Sequence, residues 1–174
     1  MTTSADWTGG DSLFVFGSLM DRDVLGLVSG IDADNLLLTP ATVYGQQQRE
    51  VVEACYPVLV PDETASCSGL LISQLTALAL QRIMFFEGEE YFLAPLAVSA
   101  HGGSVVNAWY FCDAGVYSVR PTAWDFAAWQ NTHKTSFMQA STAYMALFGT
   151  MTAAEADVHW QALAEASGRD EVAA

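Results

Sequence analysis

Residues 13–19, with the sequence LFVFGSL, carry the clearest fold signal in this chain of 174 residues. The apolar residues at the start of this segment predict a short buried strand, and Gly17 with Ser18 predicts a tight turn at its end. Asp21 stands where a helix N-cap belongs, and Gly30 stands where that helix should end. The chain is therefore predicted to open with a strand, a glycine turn and a short helix.

The next hundred residues alternate between β-favouring stretches and one helical pattern. Five stretches have the composition of strands: 35–45, 49–60, 68–72, 91–99 and 105–112. A helical periodicity lies between the third and fourth of them, with Ser73 as its predicted N-cap and Gly88 as its terminator. We therefore expect an α+β fold, in which a small mixed or closed β-sheet carries one crossing helix.

The composition changes after Pro121. The pairs Thr122/Asp125 and Thr152/Glu155 are spaced like capping boxes, and they predict a long helix followed by a last helix. We expect a β-rich domain at residues 12–120 and a C-terminal helical extension at residues 121–170 that packs on it. Aromatic side chains recur along the extension, so a homodimer contact through these helices is the alternative role.

The charge of the chain excludes several kinds of partner. It has 20 acidic and 6 basic residues, and a net charge of −14. Nucleic-acid binding needs clustered Lys and Arg, and anionic membrane surfaces attract the same residues. No apolar run reaches the ~20 residues of a membrane helix, and the first residues lack a secretory pattern. We expect a cytoplasmic protein that binds neither nucleic acid nor membrane.

Metal and cofactor signatures are absent from the sequence. The three cysteines and three histidines lack the paired spacings of zinc sites. There is no P-loop, GxGxxG or GxSxG segment, and no histidine is placed beside a serine or cysteine nucleophile. We therefore expect a site without metal or cofactor.

Residues 85–91, with the sequence FFEGEEY, contain the one candidate acid/base group. Glu87 follows an apolar helical segment, and a carboxyl that loses its hydration has a raised pKa, which suits proton transfer near neutral pH. The alternative interpretation is a solvated acidic helix end made by Glu87, Glu89 and Glu90.

Taken together and in this order, these segments resemble the γ-glutamylcyclotransferase-like (AIG2-like) family. The resemblance rests on five short motifs: Phe16-Gly17-Ser18-Leu19, Tyr56-Pro57-Val58-Leu59-Val60-Pro61, Gly69-Leu70-Leu71, Phe86-Glu87-Gly88-Glu89-Glu90-Tyr91 and Ala108-Trp109-Tyr110. The sequence departs from the family pattern at three positions. Phe16 replaces a tyrosine, Met84 replaces an aspartate and Leu93 replaces an arginine, which leaves the substrate open.

The resemblance implies an enzyme that releases 5-oxoproline and a free amine or amino acid from a γ-glutamyl substrate. It implies Glu87 as the general acid/base, with no metal or cofactor. The residues implied in substrate binding are Phe14, Val15, Phe16, Gly17, Ser18, Leu19 and Tyr91. The alternative on the same fold is a non-catalytic module that binds a small ligand or another protein.

Overall fold

A computed structural model of the chain describes residues 7–8, 10–52, 54–100 and 102–172. The strands of this part of the chain are β1 (Ser12–Val15), β2 (Leu37–Val51), β3 (Pro57–Ser73), β4 (Tyr91–Ala100), β5 (Val105–Asp113) and β6 (Val119–Ala123). The α-helices are α1 (Arg22–Ser29), α2 (Ala77–Glu87), α3 (Phe126–Thr132), α4 (Lys134–Met145) and α5 (Ala153–Val172). Short 3-10 helices span Ser18–Met20 and Ala33–Asn35.

Five of the strands close into a barrel. β1 pairs antiparallel with β3 and parallel with β5, and β5 pairs with β4. β4 then pairs with β2, and β2 pairs with β3 to close the ring, while β6 joins the outer side of β2. The α+β fold with a closed sheet and a crossing helix is thus confirmed.

The long β2–β3 hairpin brings its far end back to the turn after β1. Its register runs from Leu37 opposite Ser73 to Glu50 opposite Pro57, with an irregularity after Tyr44. At the hairpin end, Pro57 packs so closely on Gly17 that a Cβ atom added to the glycine would lie 3.1 Å from the proline Cδ. The hairpin therefore forms one wall beside the glycine turn.

The N-cap and the end of α1 are those predicted from the sequence, whereas the N-cap of α2 is a different residue from the predicted one. Asp21 accepts hydrogen bonds from the N–H groups of Asp23 (3.0 Å) and Val24 (3.3 Å), and Gly30 ends α1 at φ +73°. The N-cap of α2 is Thr76 rather than Ser73, because Ser73 still belongs to β3 and its hydroxyl pairs with that of Ser12 at 2.7 Å.

The end of α2 follows the sequence prediction. The helix stops at Glu87, and Gly88 takes φ +77°, a left-handed value that glycine adopts without steric cost. The catalytic candidate is therefore the last helical residue before a sharp change of chain direction.

The C-terminal part differs from the predicted pattern in three ways. Thr122 lies in β6, so the N-cap of α3 is Asp125, whose carboxylate accepts from the Ala128 N–H at 2.7 Å. An additional strand, β6, precedes the helices, and the predicted long helix is divided into α3 and α4 at His133. β6 is exposed along its whole length, so it lacks the apolar alternation by which strands are recognised in a sequence. The capping box of the last helix is present, since the Glu155 carboxylate accepts from the Thr152 N–H at 2.9 Å.

Aromatic side chains of the extension face the domain. Trp129, Phe137 and Tyr144 are buried, and Trp160 packs against the same core. These four aromatic side chains therefore pack within the chain, and a homodimer contact through the C-terminal helices stays a prediction. No helix in the described ranges combines the length and apolarity needed to cross a membrane.

Asp21 ties the extension to the segment after the glycine turn. Its carboxylate, which is 2% exposed, accepts from Gln130 Nε2 at 2.7 Å and forms an ion pair with Lys134 Nζ at 2.9 Å. Burial works to raise the pKa of Asp21, but the hydrogen bonds from Gln130 and Lys134 outweigh it and the pKa is lowered. Lys134, the only lysine of the chain, also pairs with Asp23 at 2.6 Å.

Candidate active site

A cavity of about 230 Å³ lies where the end of β1, the end of α2, the start of β4 and the two last helices converge. All eight residues implied by the family resemblance line this cavity. They are Phe14, Val15, Phe16, Gly17, Ser18, Leu19, Glu87 and Tyr91. The structure thus brings together two segments that are about seventy residues apart in the sequence.

The turn after β1 presents backbone rather than side-chain groups. Its carbonyls are used locally, since the Gly17 and Ser18 oxygens accept from the N–H groups of Met20 (2.9 Å) and Asp21 (3.0 Å). The N–H groups of Gly17, Ser18 and Leu19 donate to no other residue of the described ranges. Successive free N–H groups of this kind can hold a carboxylate.

Gln48 supports the turn from β2 and was not predicted from the sequence. Its side-chain amide donates a hydrogen bond to the backbone carbonyl of Phe16, immediately before the glycine. Three consecutive glutamines at 46–48 give no local sign of which side chain faces inward, because that depends on the irregularity in the β2–β3 register.

The Glu87 carboxyl is placed in a desolvating environment. The residue is only partly buried because it faces the cavity, yet the surrounding protein raises the pKa of its carboxyl from 4.5 to about 8. Within the described ranges no hydrogen bond to this carboxyl is present, so burial alone accounts for the shift. A carboxyl with this pKa exchanges protons readily near neutral pH.

Two tyrosines lie close enough to Glu87 for its charge to act on them. Burial raises the pKa of Tyr91, and the Glu87 carboxylate raises it further. Burial also raises the pKa of Tyr56, with a smaller contribution from Glu87. Both phenols therefore stay protonated at physiological pH, and their hydroxyls remain able to donate hydrogen bonds.

Tyr117 completes this tyrosine cluster. Its ring centroid lies 6.2 Å from that of Tyr56 and 5.7 Å from that of Tyr91, and its hydroxyl donates to the Glu90 carboxylate. Glu90 therefore has a partner at the cavity wall, whereas Glu87 has none among the described residues. Sequence reasoning missed Tyr117 because it stands in an irregular segment between β5 and β6.

The backbone on both sides of Glu87 is held by the last two helices. The Tyr144 hydroxyl lies 3.1 Å from the Phe85 carbonyl oxygen and 2.6 Å from Asp157 Oδ1. Asp157 Oδ2 accepts from the Glu89 N–H at 3.2 Å. We call Tyr144 and Asp157 the helix clamp. Their contacts cross 59 and 68 residues of sequence, so no local signal indicates them.

Aromatic rings from the extension cover the cavity. The ring of Phe86 lies 6.1 Å from Phe137 and 6.4 Å from Trp160, in edge-to-face arrangements that aromatic pairs prefer. Phe137 and Trp160 are themselves 5.7 Å apart. The extension thus supplies one wall of the cavity, which was not predicted.

Two of the three departures from the family pattern, Phe16 and Leu93, have structural explanations, and nothing in the structure explains Met84. Phe16 is buried and its ring lies 6.3 Å from Phe14 and 6.4 Å from Tyr110, so an apolar ring suits that position. Leu93 belongs to the buried core, where an arginine would need a partner. In the described ranges no group of three or more His, Cys, Asp or Glu side chains is arranged to hold a metal ion.

The closed barrel, the glycine turn and the desolvated carboxyl define a small α+β protein of cyclotransferase architecture. The chain belongs to the family described as gamma-glutamyl cyclotransferase, AIG2-like, whose model matches residues 13–129. Among curated relatives, Protein AIG2 B of Arabidopsis thaliana is 24% identical over 149 residues, covering 82% of this chain and 84% of that protein. AIG2-like protein A of the same organism is 24% identical over 134 residues, covering 74% of this chain and 77% of that protein.

Solved structures share the fold at low identity. A solution structure of an Arabidopsis thaliana protein superposes with a TM-score of 0.57 and 22% identity, covering 83% of this chain and 95% of that one. A structure described as gamma-glutamyl cyclotransferase superposes with a TM-score of 0.51 and 9% identity, covering 63% and 69%. These likenesses establish the fold. The family match ends before α4, so the helix clamp and the rings of Phe137 and Trp160 lie beyond it.

Proposed function

We propose that this protein is a γ-glutamylcyclotransferase that cuts a γ-glutamyl amide and releases 5-oxoproline, with Glu87 as its general acid/base. One observation carries the proposal: the Glu87 carboxyl, whose pKa burial raises to about 8, shares a small cavity with the backbone N–H groups after β1. Membership of the family supports the reaction class.

The turn at residues 17–19 would bind the amino-acid head of the substrate. Its free N–H groups suit the α-carboxylate, which would otherwise lose its hydration unpaired in an aromatic cavity. One of these groups can instead hold the oxyanion that develops on the γ-carbonyl oxygen. The hydrogen bond from Gln48 to the Phe16 carbonyl would keep this cradle rigid.

Glu87 would move two protons in turn from the attacking nitrogen to the leaving nitrogen. Its carboxylate takes a proton from the α-ammonium group, and the free amine attacks the γ-carbonyl carbon to form the C–N bond of the ring. Glu87 gives this proton to the leaving nitrogen and takes the second proton from the ring nitrogen, the tetrahedral intermediate collapses, and the original amide C–N bond breaks. The second proton then passes from Glu87 to the departing amine, which leaves as an ammonium ion. Atoms and charge balance without water, and proton transfer of this kind typically contributes about 10²–10⁴-fold in rate.

A site with a single titrating group is sufficient for this reaction because nucleophile and electrophile belong to the same molecule. Well-oriented intramolecular reactions reach effective molarities of about 10⁵ M or more. The protein needs only to bind the head, fold the substrate for attack and transfer the two protons. The Tyr91 hydroxyl, which remains protonated and lines the same cavity as Glu87, would orient the bound amide.

The proposal is tested by incubating the protein with γ-glutamyl amino acids and γ-glutamyl amines and measuring 5-oxoproline. We expect release by the wild-type protein and a loss of at least about 10²-fold in Glu87→Gln. Glu89→Gln is the matched control, since Glu89 is exposed and does not line the cavity. Equal rates in Glu87→Gln and wild type would refute the proposal. Binding without 5-oxoproline release would instead identify a non-catalytic module.

A further inference from the structure

The ionisable Asp, Glu, Lys, Arg and His side chains that line the first cavity in the described ranges are all acidic. Three carboxylic acids line it, Glu87, Glu90 and Asp157, and no Lys, Arg or His of the described ranges does so. The only lysine, Lys134, is engaged by Asp21 and Asp23 outside the cavity. A ligand carboxylate placed beyond the glycine turn would therefore meet acidic groups without a compensating cation.

The apolar part of the wall is aromatic. Phe86, Phe137 and Trp160 form mutual edge-to-face contacts and present their rings to the cavity. Phe111 and the tyrosine cluster line the remaining surface. Aromatic walls of this kind gain most from contact with another ring.

A second, larger cavity of about 690 Å³ adjoins the first. The two share Tyr56, Glu90, Tyr117, Phe137 and Trp160 as walls. Among its lining residues in the described ranges, Glu90 is the only Asp, Glu, Lys, Arg or His. The adjoining cavity therefore also has no Lys, Arg or His among its described lining residues.

These features bear on the leaving group of the proposed reaction. The head of a γ-glutamyl amide is assigned to the turn at residues 17–19, and the amide that breaks is assigned to Glu87. The aromatic and acidic walls supplied by α4, α5 and the tyrosine cluster are then left for the amine that departs.

We propose that the substrate is a γ-glutamyl amide of an arylalkyl amine, a ring-bearing amine without a carboxylate, and that the wall formed by Phe137, Trp160 and Glu90 selects it. This inference rests on the proposed function and narrows its substrate. A γ-glutamyl amino acid carries one more carboxylate, which would lose hydration beside Glu90 and Asp157 with no basic partner. A small alkyl amide would leave the aromatic wall without contact.

Three synthetic substrates separate the two parts of the inference. γ-Glutamyl-phenethylamide and γ-glutamyl-phenylalanine differ only by one carboxylate, and γ-glutamyl-ethylamide lacks the ring. We expect kcat/KM for the phenethylamide to exceed each of the others by about tenfold or more. Glu90→Gln should bring kcat/KM for γ-glutamyl-phenylalanine closer to that for γ-glutamyl-phenethylamide, since glutamine keeps an acceptor for the Tyr117 hydroxyl and removes the negative charge. Trp160→Leu should bring kcat/KM for γ-glutamyl-ethylamide closer to that for γ-glutamyl-phenethylamide, because it removes a ring of the aromatic wall.

The outcomes distinguish this inference from the proposed function. If γ-glutamyl-phenylalanine or the ethylamide is cut as well as the phenethylamide, the proposed selection is wrong while the cyclotransferase function stands. If the ratios hold in wild type but neither variant alters them, the wall is not the selecting surface. If none of the three releases 5-oxoproline, the proposed function fails and this inference fails with it.

Discussion

Asp157 of the last helix accepts a hydrogen bond from the backbone N–H of Glu89, at 3.2 Å and across 68 residues of sequence. The same carboxylate packs so closely on Gly88 that a Cβ atom added there would lie 2.7 Å from Oδ2. The Tyr144 hydroxyl lies 3.1 Å from the Phe85 carbonyl oxygen, so the helix clamp holds the backbone on both sides of Glu87. The C-terminal extension is therefore structurally continuous with the candidate active site.

Asp157→Ala should lower kcat for 5-oxoproline release by about tenfold or more, because a small displacement of Glu87 misaligns the proton transfer. The loss of the two hydrogen bonds that the Asp157 carboxylate accepts, from the Tyr144 hydroxyl and the Glu89 N–H, should also cost about 1.5–3 kcal/mol of stability or more. Asp157→Asn keeps an acceptor for the Glu89 N–H and should recover most of the activity. Val158→Ala, on an exposed site of the same helix, is the control. An unchanged kcat in Asp157→Ala would show that the clamp does not position Glu87.

Lys134→Met should destabilise the fold by about 1–3 kcal/mol, because it leaves the buried carboxylate of Asp21 without its cation. Arg22→Met removes an exposed ion pair to Asp34 and should cost less than about 1 kcal/mol. Urea unfolding of both variants measures the difference.

The pH dependence of the Lys134 effect follows from the lowered pKa of Asp21. A carboxyl with a lowered folded-state pKa stabilises the protein above its unfolded pKa, about 3.8, and this contribution is lost as pH falls through the folded-state value. The difference in the free energy of unfolding between wild type and Lys134→Met should therefore be largest at pH 7 and should shrink on acidification below pH 4. Equal differences in the free energy of unfolding at pH 7 and pH 3 would contradict this account.

Gly17→Ala tests the close approach of the hairpin to the glycine turn. The added Cβ would lie 3.1 Å from the Pro57 side chain, so the turn or the hairpin must shift by a few tenths of an ångström. We expect KM for a γ-glutamyl substrate to rise by about tenfold, since the N–H groups that hold its head move. Gly10→Ala is the matched control, because an added Cβ there meets nothing within 4 Å. An unaltered KM in Gly17→Ala would remove the turn from head binding.

Much of this site was predictable from the sequence because its two central segments carry local signals. The strand ending at Gly17 and the helix ending at Glu87 are marked by apolar runs, caps and terminators, and the apolar residues before Glu87 indicated its desolvation. Their meeting in one cavity followed from the family resemblance, not from periodicity.

The remaining walls depend on contacts between distant segments. Gln48 reaches Phe16 because of an irregularity in strand pairing, and Tyr144 and Asp157 reach the end of α2 only after the extension has docked. Ser73 resembles a helix N-cap because its hydroxyl stands before a helical pattern, but strand pairing extends through it. These residues have no short-range signature.

Glu87→Gln should stabilise the protein at alkaline pH. The folded-state pKa of Glu87 is raised to about 8, so its protonated form is the stable one. Stability from this group is full below the unfolded pKa, about 4.5, and is lost as pH rises toward 8. Glutamine is neutral and has the shape of the protonated side chain. The free energy of unfolding of the variant should therefore exceed that of wild type by on the order of 2 kcal/mol at pH 8.5 and equal it near pH 4. Thermal unfolding at both pH values tests this, and a variant less stable at pH 8.5 would contradict the desolvated placement.

The pH dependence of 5-oxoproline release tests the central claim most directly. With Glu87 as the base, kcat/KM for a γ-glutamyl amide should rise tenfold per pH unit below its pKa and level off above about 8. The residual rate of Glu87→Gln should lack this inflection. A wild-type profile that is flat between pH 6 and 9, or an inflection near 8 that persists in Glu87→Gln, would show that another group transfers the proton.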